Sequence, residues 1–303
     1  MSDPSKPRRN YLAGCMVFAA GTFAVIFIVV LVFWVLNTEV SGLPSLGRRI
    51  ALAELDGPIE DTRDLVEELD RYGDDGSVRA VVLRIDSPGG LVGPSQELYE
   101  AVRRLREKKK PVVVSMGSLC ASGGYYVACA ADTLVANPGT LTASIGVIME
   151  IPTAAELLRK VGVKFEIVKS GKAKSVGTPW KDMTPEERAV LQSLIDDTYG
   201  QFVDAVAAER GLDRSDVLAV ADGRPLTGQQ ALRAGLVDKL GDLQAAIDVA
   251  AEMAGISGKP TIVKKTEREN PFVGLLRRVL DQKWAGSSIL TGGPTVRLEY
   301  RLF

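Results

Sequence analysis

Ser122 carries the first sign of chemistry in this chain: Gly123 and Gly124 follow it directly, and a β-prone run over residues 111–115 leads up to it. A serine at such a strand-to-helix transition has its hydroxyl displayed, which is how a nucleophile is presented. A hydroxyl attacks a carbonyl only when a base takes its proton, and the usual base is histidine. The chain holds no histidine. If Ser122 attacks, a lysine must accept the proton, and backbone amides must face the oxyanion that forms.

Two segments supply candidates for those parts. Asp86-Ser87-Pro88-Gly89-Gly90 ends a β-branched run, where open α/β sheets put their ligand sites. Its glycines let the backbone approach a substrate, so the Gly90 amide is one candidate donor. The Gly123 amide, at the start of the helix after Ser122, is the other. A lysine ordinarily titrates at about 10.4, so a basic one has to leave water or sit beside another cation. Lys169, Lys172 and Lys174 crowd one stretch, and their spacing does not choose among them. Cys120 stands two residues before Ser122, where the elbow of an α/β-hydrolase has glycine, and no Ser-x-x-Lys occurs in the chain.

From residue 50 onward, short β-branched runs alternate with helical stretches. Strands are expected over 50–55, 78–85, 112–116, 133–136, 144–149 and 164–168, and helices over 61–71, 94–109, 154–161, 213–221 and 243–253. This order predicts an α/β domain with parallel strands. Thr184, followed by Pro185, Glu186 and Glu187, opens a longer helix. Along it Leu191, Leu194, Ile195, Tyr199, Phe202, Val203 and Val206 recur at three- and four-residue steps. That stripe suits the core or a subunit contact. Past Gly255, residues 271–284 read as an amphipathic helix for a membrane surface or a protein face, and 295–303 as a last strand.

Composition sets the surroundings. At 46% hydrophobic and 25% charged residues, 303 residues can bury a sizeable core. A net charge of −1 gives no bulk attraction to nucleic acid. No charged side chain falls between Asn10 and Glu39. As a helix, residues 11–36 reach about 39 Å, more than the hydrocarbon core of about 30 Å, so one transmembrane helix is expected. Lys6, Arg8 and Arg9 before it favour a cytoplasmic amino terminus with the large domain outside. Leu12-Ala13-Gly14-Cys15 looks like a lipoprotein cleavage box, but it precedes the apolar run instead of following it. Cys120 and Cys129 lie in apolar surroundings and read as buried small hydrophobes. The organisation read from this is a tail over 1–10, a membrane helix over 11–36, a linker over 37–49, the main domain over 50–254 and an extension over 255–303.

Taken together, Asp86 to Gly90, Ala121-Ser122-Gly123-Gly124-Tyr125-Tyr126, the run 141–148, Lys169-Ser170-Gly171 through Lys174, Ala221-Asp222-Gly223-Arg224 and Gly235-Leu236-Val237-Asp238 resemble the signal peptide peptidase A family in its short, single-domain form. The resemblance spans roughly 50–254. It implies Ser122 as nucleophile, Lys174 as general base and Ser144 as the serine that orients the base. Gly90 and Gly123 would then form the oxyanion hole. It also implies the fold of the Clp protease and the crotonases, a spiral of ββα units, with neither metal nor cofactor. Family members are membrane-seated rings in which the serine and lysine of one site can come from different subunits. The expected activity is hydrolysis of cleaved signal peptides and other apolar peptides outside the cytoplasm. The competing expectations are a crotonase-like acyl-CoA enzyme and an idle membrane scaffold.

Overall fold

Strands whose apolar side chains face both ways are buried on two sides, and β1 (Arg49–Asp56), β2 (Val78–Ser87) and β4 (Val112–Ala121) have that pattern. Ile50, Leu52, Ala80, Val82 and Val113 join one apolar cluster, while Ala51, Ala53, Val81, Leu83 and Val114 join another. Alternation along each strand thus feeds two cores. The computed structural model describes residues 26–28, 49–265 and 297–301, in two units divided between Ser45 and Leu46. In the first unit Ile26, Phe27 and Ile28 are helical and exposed. The rest of the expected span over 11–36 lies outside the described residues, as do Cys15 and the expected helix over 271–284. No helix among the described residues is long and apolar enough to cross a membrane.

In the second unit the remaining elements are α1 (Arg63–Asp74), β3 (Gly89–Leu91), α2 (Val92–Glu107), α3 (Gly123–Cys129), β5 (Thr133–Ala136), β6 (Leu141–Ala143), β7 (Ile148–Glu150), α4 (Ala155–Val161), α5 (Pro185–Arg210), α6 (Arg214–Leu218), β8 (Pro225–Thr227), α7 (Gly228–Arg233), β9 (Lys239–Leu240), α8 (Leu243–Met253), β10 (Thr261–Lys264) and β11 (Arg297–Arg301). The main sheet runs β10-β1-β2-β4-β5-β9, and each of these pairs is parallel. Strand β6 adds to β4 in parallel and β8 to β6 in antiparallel. Helix α8 covers one face through Ala246, Ile247 and Ala250. The other face carries the larger core, with Leu69 of α1, Leu98 and Leu105 of α2, Tyr125 of α3 and Phe202 of α5 all buried. The α/β class with parallel strands expected from the sequence is therefore present. A second, small sheet runs β3-β11-β7, antiparallel throughout.

Two expectations are corrected. Residues 144–149 do not make one strand: β6 stops at Ala143, and Ala143 and Ser144 both take positive φ, 59° and 53°, which a continuing strand cannot accommodate. Residues 164–168 form no strand either. Val163, Phe165 and Ile167 alternate as strand residues do, but they are exposed and no neighbouring strand pairs with them among the described residues. Within the chain Phe165 stacks on Trp180 at 5.0 Å, and the alternation marks an apolar edge that is otherwise left exposed.

Helix α5 begins as expected. The Glu187 amide donates to Thr184 Oγ1 at 3.2 Å and the Glu187 carboxylate accepts from the Thr184 amide at 3.2 Å, a complete capping box. Glu187 also pairs with Lys181 and lies 3.4 Å from Ser175 Oγ. Lys181 beside it and the Thr184 amide hold its carboxyl below the usual range. Loss of the cap in Thr184→Ala is expected to lower unfolding free energy by about 1 kcal/mol, read as a lower urea midpoint at unchanged slope. An unchanged midpoint would mean that the cap is idle.

Candidate active site

Strand β4 is longer than the sequence suggests, and its second half exists to reach the site. Pairing with β2 jumps from Ile85↔Met116 to Ser87↔Cys120, so residues 117–119 oppose Asp86 alone. The Asp86 carboxylate accepts from the Ser118 amide at 3.2 Å and the Leu119 amide at 3.1 Å. A β-carbon on Gly117 would lie 2.4 Å from Asp86 Oδ2, so a side chain there would push the Asp86 carboxylate off these amides. Asp86 therefore holds the bulge that carries the chain on to Ser122. Past the bulge, Cys120 and Ala121 pair with Thr142 and Ala143 of β6.

Ser122 follows at the corner between β4 and α3, with φ 52° and ψ −116°. A non-glycine residue there is strained by about 1–3 kcal/mol and has to be held. Its amide donates to Ala143 O at 2.7 Å, and its carbonyl accepts from the Tyr126 amide at 2.8 Å. This is a strained strand-to-helix elbow, reached without the glycine two residues earlier that marks an α/β-hydrolase. In its place stands Cys120, fully buried, whose thiol burial pushes up along with that of Cys129, so neither is a thiolate. Both are free cysteines, as read from the sequence.

The two candidate amide donors meet here. A β-carbon on Gly89 would lie 2.6 Å from the Gly123 amide nitrogen, and one on Gly123 would lie 3.2 Å from the Gly90 amide nitrogen and 2.6 Å from Ser95 Oγ. Three backbones approach too closely for any side chain. Gly89, at φ 96°, needs glycine for its conformation as well. The Ile59 amide donates to Gly89 O at 2.9 Å and the Leu91 amide donates to Ile59 O at 2.8 Å. Since successive residues of a strand turn their amides to opposite edges, the Gly90 N–H faces away from Ile59.

Ser144 lies one step past the β4–β6 pairing, beside Ser122. Its Oγ donates to Gly223 O at 3.1 Å and its amide to Arg224 O at 3.1 Å. A cavity of about 470 Å³ opens on both serines and is walled by Gly146, Ile195, Tyr199 and Gly223, among others. The ionisable groups on its wall are Asp196, Tyr199, Asp222 and Arg301. Arg224 pairs with Asp222 and holds its carboxyl down at about 2. Tyr199 donates to Ala221 O at 2.6 Å, and burial raises its hydroxyl above the usual range. Neither Asp222 nor Tyr199 so held suits a base for Ser122, and no lysine among the described residues lines the cavity. Sequence reasoning missed Tyr199, Asp196 and Asp222 as cavity walls. Asp222 and Tyr199 did stand in segments singled out for a motif and a helical stripe, but only folding sets them facing Ser122.

The three lysines left open by spacing are in different situations. Lys169 Nζ donates to Lys172 O and to Ser175 Oγ, both at 2.7 Å, so it ties the loop together. Lys172 and Lys174 fall in a single 3₁₀ turn, Lys172–Ser175, with exposed side chains. The Lys174 ammonium has no hydrogen-bond partner among the described residues and is not among those that line the cavity with Ser122. Ser122, Ser144, Gly90 and Gly123 are therefore brought together within the chain, and Lys174 stands apart from them.

Comparison with known proteins places this arrangement. The model of peptidase family S49 matches residues 104–257, a stretch that holds Ser122, Ser144 and Lys174. A Synechocystis sp. protein named as a protease is 44% identical over 230 residues, covering 76% of this chain and 83% of that one. An Enterococcus faecium protein named as signal peptide peptidase SppA is 32% identical over 243 residues, 79% of this chain and 70% of its own length. Protease 4 of Salmonella typhi is 38% identical over 180 residues, 59% of this chain but 29% of that longer protein. With the elbow serine, the glycine cradle and these matches agreeing, the chain belongs to peptidase family S49, among the signal peptide peptidase A proteins.

Proposed function

We propose that the chain is a serine endopeptidase with a Ser122–Lys174 dyad. It hydrolyses remnant signal peptides and other apolar peptides from a domain seated outside the cytoplasm, anchored in the bacterial inner membrane by residues 11–36. The observation that carries this reading is the strained elbow at Ser122, set against the Gly90 and Gly123 backbones and opening on a cavity. Backbone strain held by its surroundings at a cavity-lining serine points to a site. Membership of a peptidase family favours this activity over an acyl-CoA enzyme or an idle scaffold. The sheet with its small antiparallel annex is compatible with the ββα spiral that the resemblance implies.

In the proposed reaction Ser122 Oγ attacks the scissile carbonyl and its proton passes to Lys174 Nζ. The oxyanion accepts from the Gly90 and Gly123 amides. Collapse breaks the C–N bond, and Lys174 returns the proton to the leaving amine. Water then gives its proton to Lys174 and attacks the ester, and as the ester C–O bond breaks Lys174 returns that proton to Ser122 Oγ, freeing the acid. Ser144 orients the lysine.

Lys174 reaches the serine across an interface between copies in a ring. Supporting this, the arm that precedes it bears Leu157, Phe165 and Val168 at 63%, 51% and 99% exposure, and apolar side chains so placed on one segment mark a surface made to be covered. Val190 and Leu194 extend the uncovered stripe on the first half of α5, while Phe202, Val203 and Val206 on its second half are core.

The direct experiment is labelling with a fluorophosphonate probe. The full chain should react at Ser122, identified by peptide mass mapping, and Ser122→Ala should not react. Labelling elsewhere, or none in an assembled sample, would refute the nucleophile.

A further inference from the structure

Lys174 sits in a turn that its own bonds hold poorly. The turn, Lys172–Ser175, is a single short 3₁₀ element with weak internal hydrogen bonding, and residues 161–174 leading into and through it are all exposed. Ser175 is its one buried residue, at 2% exposure. The Ser175 hydroxyl accepts from Lys169 Nζ at 2.7 Å and donates to Glu187 Oε1 at 3.4 Å, while its carbonyl accepts from Thr178 Oγ1 at 3.1 Å. The backbone next to Lys174 is therefore fixed through Ser175.

Glu187 is the far end of that tie. Its side chain is buried, and a buried carboxylate is costly unless it is paired and hydrogen-bonded. Lys181 Nζ and the Thr184 amide both donate to Glu187 Oε2. The helix cap and the ion pair thus use one oxygen, and the other, Oε1, is turned to the lysine-bearing turn. A capping box does not need that second contact. From Glu187 helix α5 runs eight residues, about 12 Å, to Ile195 and Asp196, which wall the cavity with Ser122. One helix carries the Lys174 turn at its start and a wall of the serine cavity at its middle.

We infer that Glu187 is a positioning residue: through Ser175 Oγ it fixes the Lys172–Ser175 turn against the start of α5 and so sets where Lys174 Nζ can reach. Its effect on rate rests on the proposed role of Lys174 as base, whereas the tie itself does not. A reacting group displaced by about 1 Å can cost about a hundredfold in rate.

The test compares Ser175→Ala, Glu187→Ala, their double variant and Thr184→Ala in the full chain, each well below its melting temperature. Ser175→Ala and Glu187→Ala should each lower kcat about tenfold to a hundredfold with KM within about twofold of the original. The double variant should fall no further than the slower single, because both changes cut one tie. Thr184→Ala breaks the cap and spares the tie, so it should keep its kcat. With Lys174→Ala inactive, a wild-type kcat in folded Ser175→Ala, or losses that multiply in the double variant, would overturn the inference. A nitroxide on Lys172→Cys, in a Cys15→Ser background with Cys120 and Cys129 buried, follows the turn without catalysis. Its spectrum should sharpen in Ser175→Ala and Glu187→Ala but not in Thr184→Ala, and unchanged spectra would also overturn the inference. Should Glu187→Ala not fold, the rate and spectrum of Ser175→Ala decide alone. If the spectra sharpen as expected while Lys174→Ala keeps the wild-type rate, the base assignment fails and the tie stands.

Discussion

Lys174→Ala is expected to lower kcat for a peptide substrate by at least about 10²–10⁴-fold, the loss that follows removal of a general base, with assembly and melting temperature unchanged. Stability should hold because the side chain is exposed and has no hydrogen-bond partner among the described residues; surface changes of this kind move stability by about 0.5 kcal/mol or less. Lys169→Ala is the informative contrast. Its ammonium binds Ser175 Oγ and Lys172 O, so its loss should loosen the loop and lower stability while leaving a measurable rate. A Lys174→Ala protein at wild-type rate, or Lys169→Ala as the inactive one, would reverse the assignment. Mixing goes further. Ser122→Ala and Lys174→Ala chains are each inactive, but if a site joins residues of two copies, co-assembly unites the intact ones at about a quarter of the sites in a random equimolar ring. Recovery of activity on mixing is the expected result, and persistent inactivity would place the pair within one chain.

The mixing experiment matters because the sequence and the fold inform on different halves of this pair. Ser122 was readable in advance: a β-prone run, small residues and two glycines in a chain without histidine. Thr184 and Glu187 were equally plain, since a capping box is a local pattern. The two-faced strands β1, β2 and β4 follow from their unbroken apolar runs. What could not be read depends on contacts between distant segments. Asp86 looked like part of a ligand loop, and its carboxylate turns out to hold the amides of Ser118 and Leu119. Nothing in Ala143-Ser144 announces two successive positive φ values, which only pairing with β4 and the bonds to Gly223 and Arg224 impose. The alternation of Val163, Phe165 and Ile167 was legible as apolar and illegible as to partner, because a partner strand and a partner subunit leave the same trace in sequence.

In the proposed mechanism, Gly90 is where those long-range constraints bear hardest on rate. A β-carbon there would lie 2.3 Å from Ile59 O, 2.6 Å from Ile59 N and 2.8 Å from Ile59 C. All three are backbone atoms, so no side-chain rotation relieves the clash, and β3 has to move off Ile59. That movement strains the 2.9 Å and 2.8 Å bonds through which Ile59 holds Gly89 and Leu91, and it shifts the Gly90 amide out of line with that of Gly123. Gly90→Ala is therefore expected to lower kcat about 10²–10³-fold, the usual effect of losing one oxyanion donor, and to cost about 1–3 kcal/mol of stability through overpacking. Gly93→Ala, three residues on, is the matched control: a β-carbon there meets open space, so this helical position should keep its rate and gain a few tenths of a kcal/mol or more in stability. Fluorophosphonate labelling separates the two components. If Gly90→Ala only destabilised, its folded fraction at low temperature would label at the wild-type rate; a misplaced amide slows labelling in fully folded protein, because the phosphonyl oxygen needs the same two donors. Full turnover by folded Gly90→Ala would remove Gly90 from the oxyanion hole and leave Gly123 without its partner.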